Sequence, residues 1–191
     1  MKALRKYIDN ISPIEETTFA RLLKCFKSTE LKKNDFFVRA GEHAQEIGFL
    51  TQGIVRAFFL NQEGKEYTKQ FFVGPSIIGA YTSLISKQPN KIVQQALTDC
   101  EVLVADFKEI EQLYAQFHDL ERLGRRIAEQ YFMEKEQKEL EMALLDADQR
   151  YLLMRKKFPS LEAHVPQYQV AAYLGITPTQ LSRIRKKLTL P

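Results

Sequence analysis

The stretch QYQVAAYLGITPTQLSRIRKK, residues 167–187, contains the most informative local pattern in this sequence. Small and apolar residues recur in it at Val170, Ala171, Leu174, Gly175, Ile176, Leu181 and Ile184. This spacing suits two short helices that cross over a tight turn. Ala171 must be small because the second helix crosses closely over it, and Gly175 supplies the positive φ that ends the first helix. The pattern therefore predicts a helix-turn-helix.

The second helix of this motif has a clear start and a polar outward face. Thr177-Pro178-Thr179-Gln180 offers a cap, a proline at the first helical position and a glutamine for a capping box. With Leu181, Ile184 and Leu188 facing inward, the residues predicted to bind DNA are Thr177, Thr179, Gln180, Ser182, Arg183, Lys186 and Lys187. Arg183 can donate two hydrogen bonds to guanine, and the two lysines can bind phosphate. A purely structural helical hairpin is the alternative.

Positive charge is concentrated in the same part of the chain. Residues 150–191 carry eight Lys or Arg against one acid, Glu162, for a net charge of +7. The remaining residues carry twenty basic and twenty-three acidic side chains, for a net charge of −3. The basic segment is also rich in Leu, Ile, Tyr and Val, so we expect it to fold. A folded basic segment is typical of a module that binds a polyanion.

Residues 28–106 have a different sequence pattern, in which short runs rich in Phe, Val, Ile and Tyr alternate with predicted turns. The strand-like runs are 36–38, 47–50, 54–60, 67–73, 92–97 and 101–105. Asn61-Gln62-Glu63-Gly64, between two of these runs, predicts a hairpin turn. The regular spacing favours a compact antiparallel sandwich or barrel.

Helical periodicity flanks this region. Ser12-Pro13-Ile14-Glu15 predicts the start of a helix over 13–26, and shorter helices are predicted over 107–116 and 148–157. Asp146 is expected to cap the last of these.

A longer helix is predicted over about 119–145. Its apolar stripe consists of Leu120, Leu123, Ile127, Tyr131, Met142 and Leu145. Such a helix would span about 40 Å, and a narrow apolar seam in charged surroundings is suited to dimerisation. Packing on its own domain is the alternative.

Several classes of protein are disfavoured by features that the sequence lacks. Nothing approaches a membrane span or a signal peptide, so no membrane association is expected and a cytoplasmic location is predicted. Cys25 and Cys100 are too few and too far apart for a disulfide framework or a metal site. No P-loop, dinucleotide fingerprint, catalytic triad or metal-spaced cluster is visible. Neither an enzyme activity nor a cofactor is therefore predicted.

A β-rich region, a long helix and a terminal helix-turn-helix together resemble the cAMP-receptor/fumarate-nitrate-reduction (Crp/Fnr) family of bacterial transcription regulators. The resemblance covers nearly the whole chain. It is carried by the glycines between the strands, Phe72-Val73-Gly74-Pro75-Ser76-Ile77-Ile78-Gly79, Asp99-Cys100-Glu101-Val102, Asp146 and residues 167–187.

This resemblance implies an α+β fold in three domains. They are a cyclic-nucleotide-binding-like jelly roll (a double-stranded β-helix) with an N-terminal helix at 1–118, a dimerisation helix at 119–146 and a DNA-binding helix-turn-helix at 147–191. The dimer contacts on the long helix are expected at Leu120, Leu123, Ile127 and Tyr131. In the family, effector binding repositions the helix-turn-helix pair.

The nucleotide pocket is where this sequence departs from the family. The family's phosphate-binding cassette begins with Gly-Glu and later carries Arg-Ser/Thr, whereas here Ala80 follows Gly79 and Asn90-Lys91 takes the later place. Ala80 cannot accept a hydrogen bond from ribose, and Asn90 cannot form a charged clamp on phosphate, although Lys91 could supply a point charge. The corresponding effector pocket would comprise Gly79, Ala80, Tyr81, Thr82, Asn90, Lys91, Gln130 and Tyr131. We expect that it does not bind cAMP.

The resulting prediction is a homodimeric transcription regulator that binds double-stranded DNA at an inverted repeat. RNA polymerase and an unidentified small-molecule effector are further candidate partners, and regulation without an effector stays open. The alternative is a sensor or adaptor with a cyclic-nucleotide-binding fold that acts through protein partners.

Overall fold

The computed structural model describes residues 1–61, 63–64 and 66–189 and confirms the α+β class. The chain forms two compact units. The first consists of Met1–Ala57 and Phe71–Phe132, and the second consists of Phe58–Gln70 and the residues from Met133 onward. The division into three domains stays a prediction, because residues of the long helix belong to both units.

Within the described residues, eight strands form two four-stranded sheets. The strands are β1 (Lys27–Leu31), β2 (Phe36–Val38), β3 (Glu46–Gln52), β4 (Ile54–Leu60), β5 (Glu66–Val73), β6 (Ser76–Ile78), β7 (Val93–Ala96) and β8 (Cys100–Asp106). One sheet has the order β1-β8-β3-β6, and the other has the order β2-β7-β4-β5. β8 pairs antiparallel with both β1 and β3, so strands distant in sequence become neighbours.

Every strand-like run predicted from the sequence contains a strand, and the structure adds β1 and β6. β1 lies at the edge of its sheet and is largely exposed, so its sequence, KSTEL, lacks the alternation of a half-buried strand. The hairpin turn predicted at 61–64 includes Gln62, which lies outside the described residues. Beside it, the Gly64 N–H donates to the Asn61 carbonyl at 3.0 Å.

Apolar side chains from both sheets meet in a core between them. Leu50 and Val102 come from one sheet and Val55 from the other, and all three are buried. The packing also explains the glycine in β3, since a Cβ on Gly48 would lie 2.8 Å from Ile78 Cγ1. A larger residue at position 48 would push the two strands apart.

A second core lies where helices pack on the β3–β8 pair. The helices of the first unit are α1 (Lys2–Ile11), α2 (Glu16–Cys25), α3 (Tyr81–Ser86), α4 (Phe107–Tyr114) and the first part of α5 (His118–Leu144). Phe49 and Leu103 supply the sheet side of this core, and Leu4, Leu120 and Leu123 are among the buried helical residues. Because successive strand residues face opposite sides, Phe49 serves this core while Leu50 serves the other.

The start of α2 differs from the prediction. Ser12 follows α1, where its N–H donates to the Ile8 carbonyl at 2.9 Å, and no side-chain cap precedes α2. The carboxylate of Asp119 instead accepts hydrogen bonds from the Glu15 N–H at 2.7 Å and the Thr18 hydroxyl at 3.0 Å. A residue 104 positions away therefore satisfies donors at this helix start.

The C-terminal part of the chain is helical. α5 ends at Leu144 and is followed by α6 (Ala147–Lys157), α7 (Leu161–His164), α8 (Gln167–Leu174) and α9 (Pro178–Thr189). Asp146 caps α6 as predicted: its carboxylate accepts from the Gln149 N–H at 2.8 Å, and its own N–H donates to Gln149 Oε1 at 3.0 Å. α7 was not predicted. None of the helices described is both long and apolar enough to span a membrane.

Candidate DNA-binding site

The turn between α8 and α9 has the geometry that the sequence predicts. Gly175 adopts φ +69° and ψ 30°, the left-handed conformation that ends α8, and its N–H donates to the Ala171 carbonyl. The Ile176 N–H donates to the same carbonyl at 3.0 Å. Ala171 and Leu174 are fully buried. The predicted small residue, turn glycine and helix pair are therefore confirmed.

Thr177 and Gln180 form the capping box predicted at the start of α9. The Thr177 N–H donates to Gln180 Oε1 at 2.9 Å, and the Gln180 N–H donates to Thr177 Oγ1 at 3.2 Å. The Thr177 hydroxyl also donates to Gln180 Oε1, at 3.1 Å. Because this oxygen already accepts two bonds, Gln180 is better placed to contact a base through its amide nitrogen.

α9 has one buried and one exposed face. Leu181 and Ile184 are buried as predicted, whereas Leu188, in the last turn of the helix, is exposed rather than inward-facing. All the residues predicted to contact DNA are exposed: Thr177, Thr179, Gln180, Ser182, Arg183, Lys186 and Lys187. Arg183 and Lys186 are three residues apart and therefore neighbours on this face.

Two basic side chains of the C-terminal helices have acidic partners on earlier helices. Lys187 Nζ donates to Asp148 Oδ2 at 2.5 Å, and this hydrogen bond raises the pKa of Lys187. Lys157 Nζ lies 4.0 Å from Glu134 Oε2. The net charge of +7 counted within residues 150–191 therefore overstates the charge available to a ligand. Lys187, predicted as a phosphate contact, would have to leave Asp148 to make one.

Glu162, the lone acid of the basic segment, is shared between two arginines. Its carboxylate oxygens lie 3.6 Å from Arg155 Nε and 3.5 Å from Arg185 Nε. Arg155 and Arg185 thus both lie beside the same carboxylate.

Arg183 and Lys186 differ from these basic residues in their surroundings. Across residues 1–61, 63–64 and 66–189, no carboxylate oxygen lies within 4.0 Å of the charged nitrogens of either side chain. Both side chains extend from the exposed face of α9. A guanidinium can donate two parallel hydrogen bonds to the edge of a guanine, and an ammonium can neutralise a phosphate. This face of α9 is therefore chemically suited to the major groove of DNA.

Two basic residues that the sequence analysis did not assign to a site hold the C-terminal end of α8. Lys138 Nζ donates to the Tyr173 carbonyl at 3.3 Å and lies 3.3 Å from the centroid of the Tyr173 ring. Arg150 Nε donates to the Leu174 carbonyl at 3.2 Å. Cations are favourable at this end of a helix, where carbonyls lack intrahelical partners. Burial lowers the pKa of Lys138 to about 8. Local spacing offers no signal for these contacts, because Lys138 and Tyr173 are 35 positions apart.

Part of the predicted effector pocket lies at the turn before α3. Gly79 has φ +148°, and the next residue, Ala80, is buried. Gln94 on β7, which the sequence analysis did not single out, is buried and donates from Nε2 to the Gly79 carbonyl at 3.0 Å. Tyr81 and Thr82 are exposed. Around this turn, Ala80 thus contributes a buried methyl group and Gln94 a buried amide.

Asn90 is bound to the backbone of two loops. Its Oδ1 accepts from the Ile92 N–H at 3.0 Å, and its Nδ2 donates to the carbonyls of Arg39, at 3.3 Å, and Ile92. Its own N–H donates to the Glu42 carbonyl at 2.7 Å, and its carbonyl accepts from the Gly41 N–H at 2.7 Å. These bonds give Asn90 a structural role, and its place in an effector pocket stays a prediction.

Of the remaining residues predicted for the pocket, two are exposed and one donates a hydrogen bond to the backbone. Lys91 and Gln130 are exposed, and the Tyr131 hydroxyl donates to the Ile77 carbonyl at 2.9 Å. Within the described part of the chain, no group of three or more His, Cys, Asp or Glu side chains could hold a metal ion.

α5 carries two sets of apolar side chains. Leu120 and Leu123 are buried in the helical core of the first unit, and Ile127 packs against that core. Leu120 and Leu123 thus complete the core of their own protomer, and the dimer contacts predicted at Leu120, Leu123, Ile127 and Tyr131 stay a prediction. A different set is exposed: Phe132, Met133, Leu140, Met142 and Leu144. Phe132 is 66% exposed and Leu144 is 75% exposed, so these two are available to a partner.

Known proteins resemble this chain over most of its length. Residues 28–117 match the cyclic nucleotide-binding domain family. The chain is 22% identical over 165 residues to the transcriptional activator protein Anr of Pseudomonas protegens, covering 81% of this chain and 67% of Anr. Its fold is similar to that of CLP, a c-di-GMP responsive global regulator of Xanthomonas campestris (TM-score 0.72, 20% identity, 91% of each chain). It is also similar to a Crp/Fnr-family regulator from Eubacterium rectale (TM-score 0.73, 11% identity, 93% of this chain and 84% of that one).

Proposed function

Because residues 28–117 match the cyclic nucleotide-binding domain family and the fold is similar to that of Crp/Fnr regulators, we propose that this protein is a sequence-specific, DNA-binding transcription regulator. The observation that carries the proposal is the exposed face of α9, where Arg183 and Lys186 project without acidic partners among the described residues. Arg183 reads a guanine in the major groove, and Lys186 binds the neighbouring phosphate backbone.

The operator is an inverted repeat bound by a homodimer. Phe132, Leu140 and Leu144 on α5 are large exposed apolar residues, and such residues on a long helix are typical of a subunit interface. A two-fold dimer would present two copies of α9 to successive major grooves, about 34–36 Å apart.

The regulator does not respond to cAMP. Ala80 has no group that could bind a ribose hydroxyl, and the side chain of Asn90 is engaged with backbone groups. Two missing charge-assisted contacts, at about 1.5–3 kcal/mol each, lower affinity by several orders of magnitude. A different effector, and a contact with RNA polymerase, stay predictions.

Selection of bound sequences from random DNA tests the proposal. The purified full chain should enrich a palindromic sequence. On that sequence Arg183→Ala should lose about 1–3 kcal/mol, or about 5- to 150-fold in affinity, with relaxed preference at one base of each half-site. Lys186→Ala is the matched control on the same helix face. It should weaken binding to selected and random duplexes by the same factor. It should also reduce the steepness of the plot of log affinity against log salt by about 0.9.

Two results would contradict the proposal. Failure to enrich any sequence from random DNA would favour the alternative of a sensor that acts through protein partners. Equal loss at selected and random duplexes for both variants would remove Arg183 from base recognition. Addition of cAMP should change neither the enriched sequence nor the melting temperature of the protein.

A further inference from the structure

Glu162, on α7, is the centre of a cluster that joins three helices. The Tyr151 hydroxyl donates one hydrogen bond that the two oxygens of the Glu162 carboxylate share, at 3.0 Å from Oε1 and 3.1 Å from Oε2. Arg155 of α6 and Arg185 of α9 lie against the two oxygens at 3.6 Å and 3.5 Å. One acid thus faces two cations, and the cluster keeps a net charge of +1.

The carboxylate is held more firmly than a surface acid usually is. Tyr151 is almost fully buried, and the Glu162 side chain is only 22% exposed. Burial and the hydrogen bond to Glu162 raise the pKa of Tyr151, so this hydroxyl stays protonated and keeps donating. A fixed carboxylate constrains the two arginines beside it.

The arginines themselves remain accessible to solvent. The Arg155 side chain is 54% exposed and that of Arg185 is 37% exposed. Arg185 lies on the same helix as Arg183 and Lys186, on the flank between the buried and exposed faces. Neutralising Glu162 would take one ionic partner from each guanidinium group and so strengthen the attraction of both groups for a phosphate.

We propose that Glu162 is a positioning residue that restrains Arg155 and Arg185 from the DNA backbone and thereby limits sequence-independent binding. The inference rests on the proposed function of α9. Contacts to phosphate carry no sequence information, but each one multiplies affinity for every duplex. Each phosphate contact multiplies the affinity for DNA by about the molar salt concentration raised to the power −0.9. One released arginine therefore raises that affinity about eightfold at 0.1 M salt. Restraint of both arginines therefore preserves the ratio of specific to non-specific affinity.

Glu162→Gln in the full chain tests the proposal, since it removes the charge and keeps the shape. Binding is measured on a random-sequence duplex of about 30 base pairs across a range of salt concentrations. We expect tighter binding by about eightfold for each arginine released, and a slope of log affinity against log salt that is steeper by about 0.9–1.8. Affinity for a selected operator should rise by no more than affinity for the random duplex, so no specificity is gained.

Two further variants separate charge from structure. Tyr151→Phe removes the hydrogen bond to Glu162 but leaves every charge, so it should change the salt slope less than Glu162→Gln does. The triple variant Glu162→Gln, Arg155→Gln, Arg185→Gln should return the slope to no more than the wild-type value. Thermal unfolding of each variant checks that the helices remain folded.

The outcomes distinguish this inference from the function on which it rests. If the folded wild-type chain binds neither random nor selected DNA, both are overturned. If the wild type binds DNA and folded Glu162→Gln has the same slope and affinity on random duplex, the restraint by Glu162 is wrong and the proposed function stands. A steeper slope that persists in the triple variant would also overturn the inference, because the new contacts would not come from these arginines.

Discussion

Replacing Gly175 with alanine probes the turn on which the proposed site depends. Gly175 has φ +69°, where an L-residue with a Cβ costs about 1–2 kcal/mol. The new Cβ would also lie 2.8 Å from Met142 Cε. Met142 is 40% exposed and its end is flexible, so a rotation can relieve that contact at little cost. We therefore expect Gly175→Ala to lower the free energy of unfolding by about 1–2 kcal/mol, and the melting temperature by about 2–8 °C for a chain of this size.

The measurement is urea unfolding followed by far-UV circular dichroism, with amide hydrogen exchange at Leu174 and Ile176 to report on the second unit itself. Gly41→Ala is the matched control, since Gly41 has φ +86° and no atom within 4 Å of a built Cβ. It should show the backbone cost alone. Gly175→Asn should cost less than Gly175→Ala, because asparagine tolerates the left-handed conformation better than alanine does.

If Gly175→Ala is as stable as the wild type and exchange at Leu174 and Ile176 is unchanged, the turn does not require a glycine at position 175. A loss several kcal/mol larger than that of Gly41→Ala would show instead that Met142 cannot move. The double variant Gly175→Ala, Met142→Ala would then recover the difference.

Three further predictions concern the core, a helix cap and pH. Leu120→Ala should lower the free energy of unfolding by about 2–5 kcal/mol, because it opens a cavity in the helical core. Phe132→Ala should change the free energy of unfolding of a monomer by less than about 0.5 kcal/mol. It should instead weaken dimerisation, which sedimentation measures. Thr177→Ala removes the cap of α9 and should cost about 1 kcal/mol by urea unfolding, with wild-type behaviour for Thr179→Ala as its control. Lys138 has a pKa of about 8 in the folded chain against 10.5 as its ordinary value. The folded state therefore loses this proton at a lower pH than the unfolded state does. The contribution of Lys138 to the free energy of unfolding consequently rises as pH increases from about 8 to 10.5. At about 1.4 kcal/mol per pKa unit the limit is about 3 kcal/mol, which partial solvent screening reduces to about 1 kcal/mol. Lys138→Met should abolish this rise, and an equal rise in the variant would assign it to other groups.

Elements built from near neighbours in sequence were predictable. The turn at Gly175, the capping box of Thr177 with Gln180 and the cap at Asp146 all depend on residues within four positions of one another. Their backbone angles and hydrogen bonds are local, so residue type and spacing are sufficient to predict them. The strand runs and the length of α5 follow from periodicity in the same way.

Contacts that join residues distant in sequence were not predictable. Leu120 and Leu123 have the spacing of a dimer seam, yet they pack into their own core because α1, α2 and the β3–β8 pair meet them there. Asn90 occupies the place of a ligand contact, but two loops approach it and use its hydrogen-bonding groups. Periodicity identifies an apolar face and leaves open which partner covers it.

The charged residues near the C-terminus differ in the same way between what the sequence predicts and what the tertiary structure shows. The sequence by itself determined that positive residues accumulate near α9 and that a helix-turn-helix carries them. Only the tertiary structure decided which of them have acidic partners: Lys187 pairs with Asp148, 39 positions earlier, and Arg155 and Arg185 share the single carboxylate of Glu162. Ion pairs depend on separations of a few ångströms in space, and no spacing along the chain encodes those across different helices.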